Sequence, residues 1–233
     1  MRINKFLASC GVASRRKVEE YIINKRVKVN SEIETNLARD ILESDIVMLD
    51  DKVVSVVNNF EYYMLNKPKG YLSTAKDDRG RKTVLDLIDT TARIFPVGRL
   101  DYDSEGMLLL TNDGELTNKL THPKNNISKT YIVTINSSIS NEEIEHLKSG
   151  VVIDGYKLHK CKIDVIEKSK SHTKMQMVIF EGRNREIRKM FETINKKVVF
   201  LKRIKIADLK MAGLSRGQYR KLTKDEINYL KSL

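Results

Sequence analysis

The sequence predicts an α+β protein: a mixed, mainly antiparallel central sheet, preceded by a small unit of two helices and a short β element. Three observations carry this. Short segments with alternating or unbroken apolar character outnumber the segments with helical periodicity. Strict strand–helix–strand alternation, the mark of a parallel doubly wound sheet, is absent. The first part of the chain holds a compact helix–helix–strand pattern of its own. With 233 residues, 40% of them hydrophobic, there is material for one large domain and a small appendage.

Ile3, Phe6, Leu7 and Cys10 recur at helical spacing, and Gly11 ends that first helix. Ser14 is a good cap for a second, whose apolar side holds Val18 and Ile22 with Tyr21 beside them. Residues 25–30 alternate as a short strand, residues 46–49 form another, and residues 55–60 read as a linker. Arg15, Arg16, Lys17, Lys25, Arg26 and Lys28 cluster here. The first three open a helix, where cations oppose the helix dipole but strengthen an anion site. A solvated basic face is the plainer account; the unfavourable placement tips the balance toward RNA. This segment, ASRRKVEEYIINKRVKVN behind a short helix, resembles the small αL-type RNA-binding domain named after the ribosomal protein S-four. The resemblance places that domain at residues 1–57 and a second domain at residues 60–233.

Residues 62–65 read as a strand entering the basic turn Asn66-Lys67-Pro68-Lys69-Gly70, and residues 71–74 as resumed extended structure. Residues 76–82 form a charged loop. Val84, Leu85 and Ile88 suggest a short helix capped by Thr83. Next comes the stretch around which the rest is arranged, FPVGRLDYDSEGMLLLTNDGELTNKL at residues 95–120. Its apolar run Met107 to Leu110 suits a buried strand and is too short for a helix, and Leu116 and Leu120 mark a helix after the turn at Asn112-Asp113-Gly114. Asp101 therefore lies on a loop just ahead of a buried strand, where functional side chains concentrate. On this loop alone, a turn aspartate capping nearby amides is the simpler explanation. Asp101, Asp103 and Glu105 also invite a paired-carboxylate reading of the glycosidase kind.

Residues 129–135 form a strand with Tyr131, Val133 and Ile135 on one face. Ser140 and Glu143 make a capping box for a helix ending near Gly150. Residues 151–155, 161–166 and 173–180 add strands. After a turn at Gly182, Ile187, Met190, Phe191 and Ile194 define the core face of a helix, with Arg185 and Arg188 sharing another face and Arg183 on the turn. Residues 200–206 are best read as a strand despite imperfect alternation. A loop and last short strand follow, then a helix capped by Thr223 and Glu226.

Net charge is +12, and residues 183–221 alone hold 13 Lys and Arg against three Asp and Glu. Nucleic acid is the expected partner. No segment approaches the ~20 apolar residues of a membrane span, nor is there a long basic amphipathic helix with bulky anchors. A cytoplasmic protein is expected. Cys10 and Cys161 lie far apart and the four histidines lack ligand spacing, so neither a disulfide nor a metal site is indicated.

In combination, NKPKGYLST, GRLDYDSEGMLLLTNDG, KTYIV and EGRNREIRKMFE behind an S-four-type domain resemble the rRNA pseudouridine synthases of the RsuA/RluB type, over essentially the whole chain. The segments DDRGRKTVLDLI and NKLTHP look more like the large-subunit enzymes of the RluB type. The resemblance implies the pseudouridine synthase catalytic fold, with ribosomal RNA or a pre-ribosomal particle as partner, a monomer, and no cofactor. It makes Asp101 the essential aspartate and Tyr131 the tyrosine that stacks on the target base. Arg188 becomes the arginine pairing with that aspartate, and Ile187 the aliphatic residue beside the base. Arg99 handles the RNA backbone, with Arg183 and Arg185 adding RNA contacts. Asp103 and Glu105 match no catalytic role, so the paired-carboxylate reading falls. Asn195 stands where relatives often have glycine, and asparagine tolerates the left-handed conformation.

The chemistry suits these residue types. Breaking the uridine N1–C1′ bond and rejoining uracil through C5 adds and removes no atoms. A carboxylate serves by attacking C1′ or by abstracting the 2′ hydrogen. A paired arginine would hold it ionised, and an aromatic face replaces the stacking a flipped base loses. A non-catalytic rRNA-binding assembly factor explains the charge equally well but gives no reason for Asp101, Tyr131 and Arg188 to occur together; the same activity directed at 16S rRNA is the other alternative.

Overall fold

The computed structural model describes all 233 residues, which divide into two compact units: residues 1–61 with 112–114, and residues 62–111 with 115–233. In the first unit, helices α1 (Ile3–Ser9) and α2 (Arg15–Ile23) lie beside strands β1 (Val27–Val29), β2 (Glu32–Ile33), β3 (Val47–Leu49) and β4 (Lys52–Val53). The strands pair antiparallel in the order β2-β1-β3-β4. Ile3, Leu7, Val18, Ile22, Val27 and Val47 form its core, as helical spacing and alternation require. The Ser14 hydroxyl accepts the Lys17 N–H at 3.3 Å, capping α2. Lys25 has φ 59°, so the strand expected from residue 25 begins only at Val27.

The second unit contains β5 (Tyr62–Lys67), the 3₁₀ turn Val84–Leu87, β6 (Phe95–Pro96), β7 (Glu105–Thr111), α3 (Gly114–Thr121) and β8 (Lys129–Ile135). It continues with α4 (Asn141–Lys148), β9 (Val152–Ile153), β10 (Tyr156–Lys157), β11 (Lys162–Lys168), β12 (Thr173–Ile179) and α5 (Glu186–Glu192). β13 (Val198–Ile206), β14 (Leu209–Lys210), β15 (Tyr219–Lys221) and α6 (Lys224–Ser232) complete it. The main sheet runs β11-β12-β8-β13-β7-β5-β15, with β14 on β13 and β6 on β7. All its strand pairs are antiparallel except β13 with β7.

Both faces of the sheet are covered, which explains the unbroken apolar run in β7. Leu108 and Leu110 join Val133, Ile135, Met175, Met177, Met190 and Phe191 on one side. Met107 and Leu109 join Leu116, Leu120, Leu209 and Leu230 on the other. A strand buried on both faces has no solvent side to encode. The capping boxes at Ser140–Glu143 and Thr223–Glu226 both form.

Two further expectations need correction. Residues 71–74 do not extend into a strand: only Leu72 bridges Thr83, because the Ser73 hydroxyl turns aside to exchange hydrogen bonds with the Leu100 backbone. The helix expected near residue 84 is a single 3₁₀ turn, which the capping box of Thr83 and Asp86 closes. The imperfect alternation of residues 200–206 reflects two register shifts in β13, between Val198 and Phe200 and between Arg203 and Lys205. No helix is long and apolar enough to cross a membrane.

Candidate active site

A cleft of about 510 Å³ opens in the second unit where the loop before β7, the strands β8 and β13, and the start of α5 meet. Asp101, Tyr131, Ile187 and Arg99 line it, together with Arg183 and Arg185. Residues separated by as much as 88 positions thus share one cavity.

The Asp101 loop is secured from two directions. The Lys67 ammonium, with no solvent exposure, donates to the carbonyl oxygens of Pro68 (3.1 Å), Asp101 (3.0 Å) and Ser104 (2.9 Å). Burial pushes its pKa down to about 8, against the upward pull of the Asp101, Asp103 and Glu105 carboxylates. The buried Arg188 donates to the Asp103 carbonyl (3.2 Å), the Ser104 hydroxyl (3.4 Å) and the Val198 carbonyl (2.9 Å). The Tyr102 carbonyl also accepts the Gly70 N–H at 2.8 Å. The Asp101 carboxylate accepts no hydrogen bond from the protein and faces the cleft, while its backbone is fixed. A carboxylate on an immobilised main chain is pre-organised for a ligand.

Here the structure corrects the expected pairing of Arg188 with Asp101. The Arg188 guanidinium lies 3.1 Å from the Asp103 carboxylate, and Arg185 reaches the same carboxylate at 3.3 Å. The reason is the turn: the Ser104 N–H closes on the Asp101 carbonyl at 3.1 Å, which aims Asp103 toward α5 and leaves Asp101 lining the cleft. Arg185 is not on a helical face beside Arg188 either. It caps α5 in the left-handed conformation, φ 52°. Glu105, the third acid, is buried and paired with Arg216 at 2.7 Å.

Tyr131 stands at the centre of β8, opposite Met177 of β12 and Arg203 of β13. Arg203 is buried; its Nε donates to the Met107 carbonyl at 2.7 Å, and its Nη2 has no partner. Beside them, burial and the Arg203 charge push Lys129 down to about 8, while burial pushes Glu186 up to about 7. The Glu186 carboxylate accepts the Arg183 N–H at 2.7 Å, closing the turn that carries Arg183. Arg99 is exposed at the cleft edge.

Lys67, Lys129, Glu186 and Arg203 escaped the sequence reading. Lys129 precedes Tyr131 by two on the same strand, so alternation alone put it on the same face. Lys67 had no such signal: its charged neighbours made it look like part of a solvated turn.

In the first unit the six basic candidates differ. Lys17 pairs with Glu20, Arg26 with Asp50 (2.8 Å from Nε) while lying 4.1 Å over the Tyr21 ring, and Lys28 with Asp51 (2.6 Å). Arg15 and Arg16, at the start of α2, and Lys25, just beyond its end, are exposed and have no acidic partner.

Residues 61–193 match the family model described as RNA pseudouridylate synthase, more than half of the chain. The chain belongs to the RNA pseudouridylate synthase family. Residues 1–47 match the S4 domain model, so this pseudouridine synthase carries an S4 RNA-binding domain ahead of its catalytic fold. It is 42% identical to the ribosomal large subunit pseudouridine synthase B of Bacillus subtilis, over all of this chain and 96% of that one. An uncharacterized RNA pseudouridine synthase of Aquifex aeolicus is 38% identical over 99% of this chain and 93% of its own. A crystal structure of a pseudouridylate synthase superposes with a TM-score of 0.73 at 29% identity, covering 99% of both chains. The enzyme is accordingly an isomerase that acts on RNA.

Proposed function

We propose that this enzyme converts one uridine of large-subunit ribosomal RNA to pseudouridine, with Asp101 acting on a nucleotide flipped out of its stack. The observation that carries the reading is the state of Asp101: a free carboxylate in a cleft, on a backbone held by Lys67 and by its own turn to Ser104. The N1–C1′ bond breaks, the uracil turns, and C5 bonds to C1′; the proton lost from C5 balances the one gained at N1. Asp101 is the group available at C1′ or at the 2′ hydrogen. Tyr131, buried on β8 between β12 and β13 yet lining the cleft, offers its ring to the displaced base, and Ile187 supplies an apolar contact beside it. The buried Lys67 ammonium donates to the Asp101 carbonyl and leaves the carboxylate oxygens unoccupied.

Large-subunit RNA is supported by the Bacillus subtilis relative. The S4 domain supports structured RNA as the substrate, with Arg15, Arg16 and Lys25 free to meet phosphates.

Pseudouridine mapping at nucleotide resolution, on rRNA from cells with and without the protein, tests this. One large-subunit site is expected to vanish and to return with wild type but not with Asp101→Asn, while that variant keeps its RNA affinity. Persistence of every site would overturn the reading in favour of an assembly factor, and loss of a small-subunit site would reassign the substrate.

A further inference from the structure

Along the cleft from Asp101, the Arg183 guanidinium sits over Tyr156, its carbon 3.2 Å from the ring centroid. The arrangement is rigid. Tyr156 pairs with Ile153 across a hairpin and packs against the apolar core. Arg183 Nε donates to the buried Glu181 carboxylate at 3.3 Å, and the other Glu181 oxygen accepts the His159 N–H at 2.6 Å. The Arg183 N–H is held in turn by Glu186 at 2.7 Å. Yet the Arg183 side chain remains 46% exposed, and no side chain projects from neighbouring Gly182.

We infer that Arg183 and Tyr156 form a stacking platform for a second, unpaired nucleobase adjoining the target uridine. This rests on the RNA substrate of the preceding section and adds a subsite to it. The Tyr156 ring takes one side of the guanidinium, and both residues line the cleft that holds Asp101 and Tyr131. The alternative ligand for an arginine is a phosphate, and the local charge argues against it. Glu181 sits on the same guanidinium and cancels most of its pull on an anion, whereas a neutral planar base loses nothing by that neighbour. A plane held by Tyr156 and Glu181, on a backbone held by Glu186, also loses little freedom when a base settles on it. The platform therefore selects for an unpaired neighbour of the target, and against a target embedded in continuous duplex.

The test uses full-length protein and a large-subunit rRNA fragment carrying the mapped uridine, natural or with an abasic site in place of its 5′ or 3′ neighbour. Pseudouridine formation is followed for wild type, Arg183→Ala and Arg183→Lys, separating KM from kcat. Both variants are expected to raise KM about tenfold, the scale of one lost base stack, with kcat nearly kept. An abasic site at one neighbour is expected to raise the wild-type KM similarly and to add nothing to Arg183→Ala. Arg183→Lys behaving as wild type would show that charge matters and the plane does not, overturning the platform for a phosphate contact. Indifference of wild type to both abasic fragments would overturn it as well while leaving the isomerase reading intact. Failure of wild type to isomerise the natural fragment would remove both readings together.

Discussion

The Lys67 ammonium, wholly buried, donates to the backbone carbonyl of Asp101 at 3.0 Å, so a charge with no access to water holds the main chain of the residue proposed to act on the substrate. Its three acceptors are all carbonyls, and its nearest carboxylates include that of Asp101. Lys67→Met fills the space but leaves the carbonyls of Pro68, Asp101 and Ser104 without their donor. A stability loss of about 1–3 kcal/mol in urea denaturation is expected, with a larger proportional loss of kcat than of RNA affinity. Unchanged turnover would show that the loop holds without Lys67.

Glu186 makes stability depend on pH. Its folded pKa of about 7 lies above the unfolded value, so the folded state binds the extra proton between pH 4.5 and 7. The stabilisation is complete below pH 4.5 and lost as pH rises through 7. Glu186→Gln, which keeps an acceptor for the Arg183 N–H, is expected to remove that loss. The variant should gain on the order of 1–3 kcal/mol relative to wild type as pH goes from 4.5 to 8, read from paired urea titrations.

Asp103 and Asp101 are predicted to fail differently. Asp103→Ala strips the carboxylate from Arg188, whose side chain is only 9% exposed, and from Arg185. Destabilisation of about 2–4 kcal/mol with partial loss of activity is expected, because a nearly buried cation loses its acid. Asp101→Asn should keep the wild-type melting temperature and lose isomerisation. Equal melting temperatures for the two variants would contradict this division of roles.

Gly106 permits the one parallel pairing in the main sheet. A Cβ there would fall 2.1 Å from the Arg203 carbonyl oxygen, at φ 109°. Gly106→Ala is expected to cost at least about 3 kcal/mol, seen as a lowered thermal midpoint, because both β7 and β13 would have to move.

Removing residues 1–61 should leave a folded catalytic unit that binds rRNA more weakly. The truncation frees Asn112, whose side chain bonds the backbones of Asn59 and Glu61. These are surface groups that water can satisfy. An insoluble product would place the boundary elsewhere.

Helical spacing, alternation and capping chemistry are local properties, so the sequence by itself determined most of the elements: α1 and α2, the strand 129–135 to the residue, and the capped helices after Ser140 and Thr223. It also determined the family, through motifs whose residues converge on one cleft. Tertiary structure alone decided which acid meets which base. Asp101 and Asp103 are two positions apart with the same carboxylate, and the direction of one tight turn sends Asp103 to Arg188 and leaves Asp101 free. The same is true of Lys67. Its burial depends on carbonyls from a loop 34 to 37 positions away, and desolvation is a property of that assembled surrounding, which no window of neighbouring residues contains.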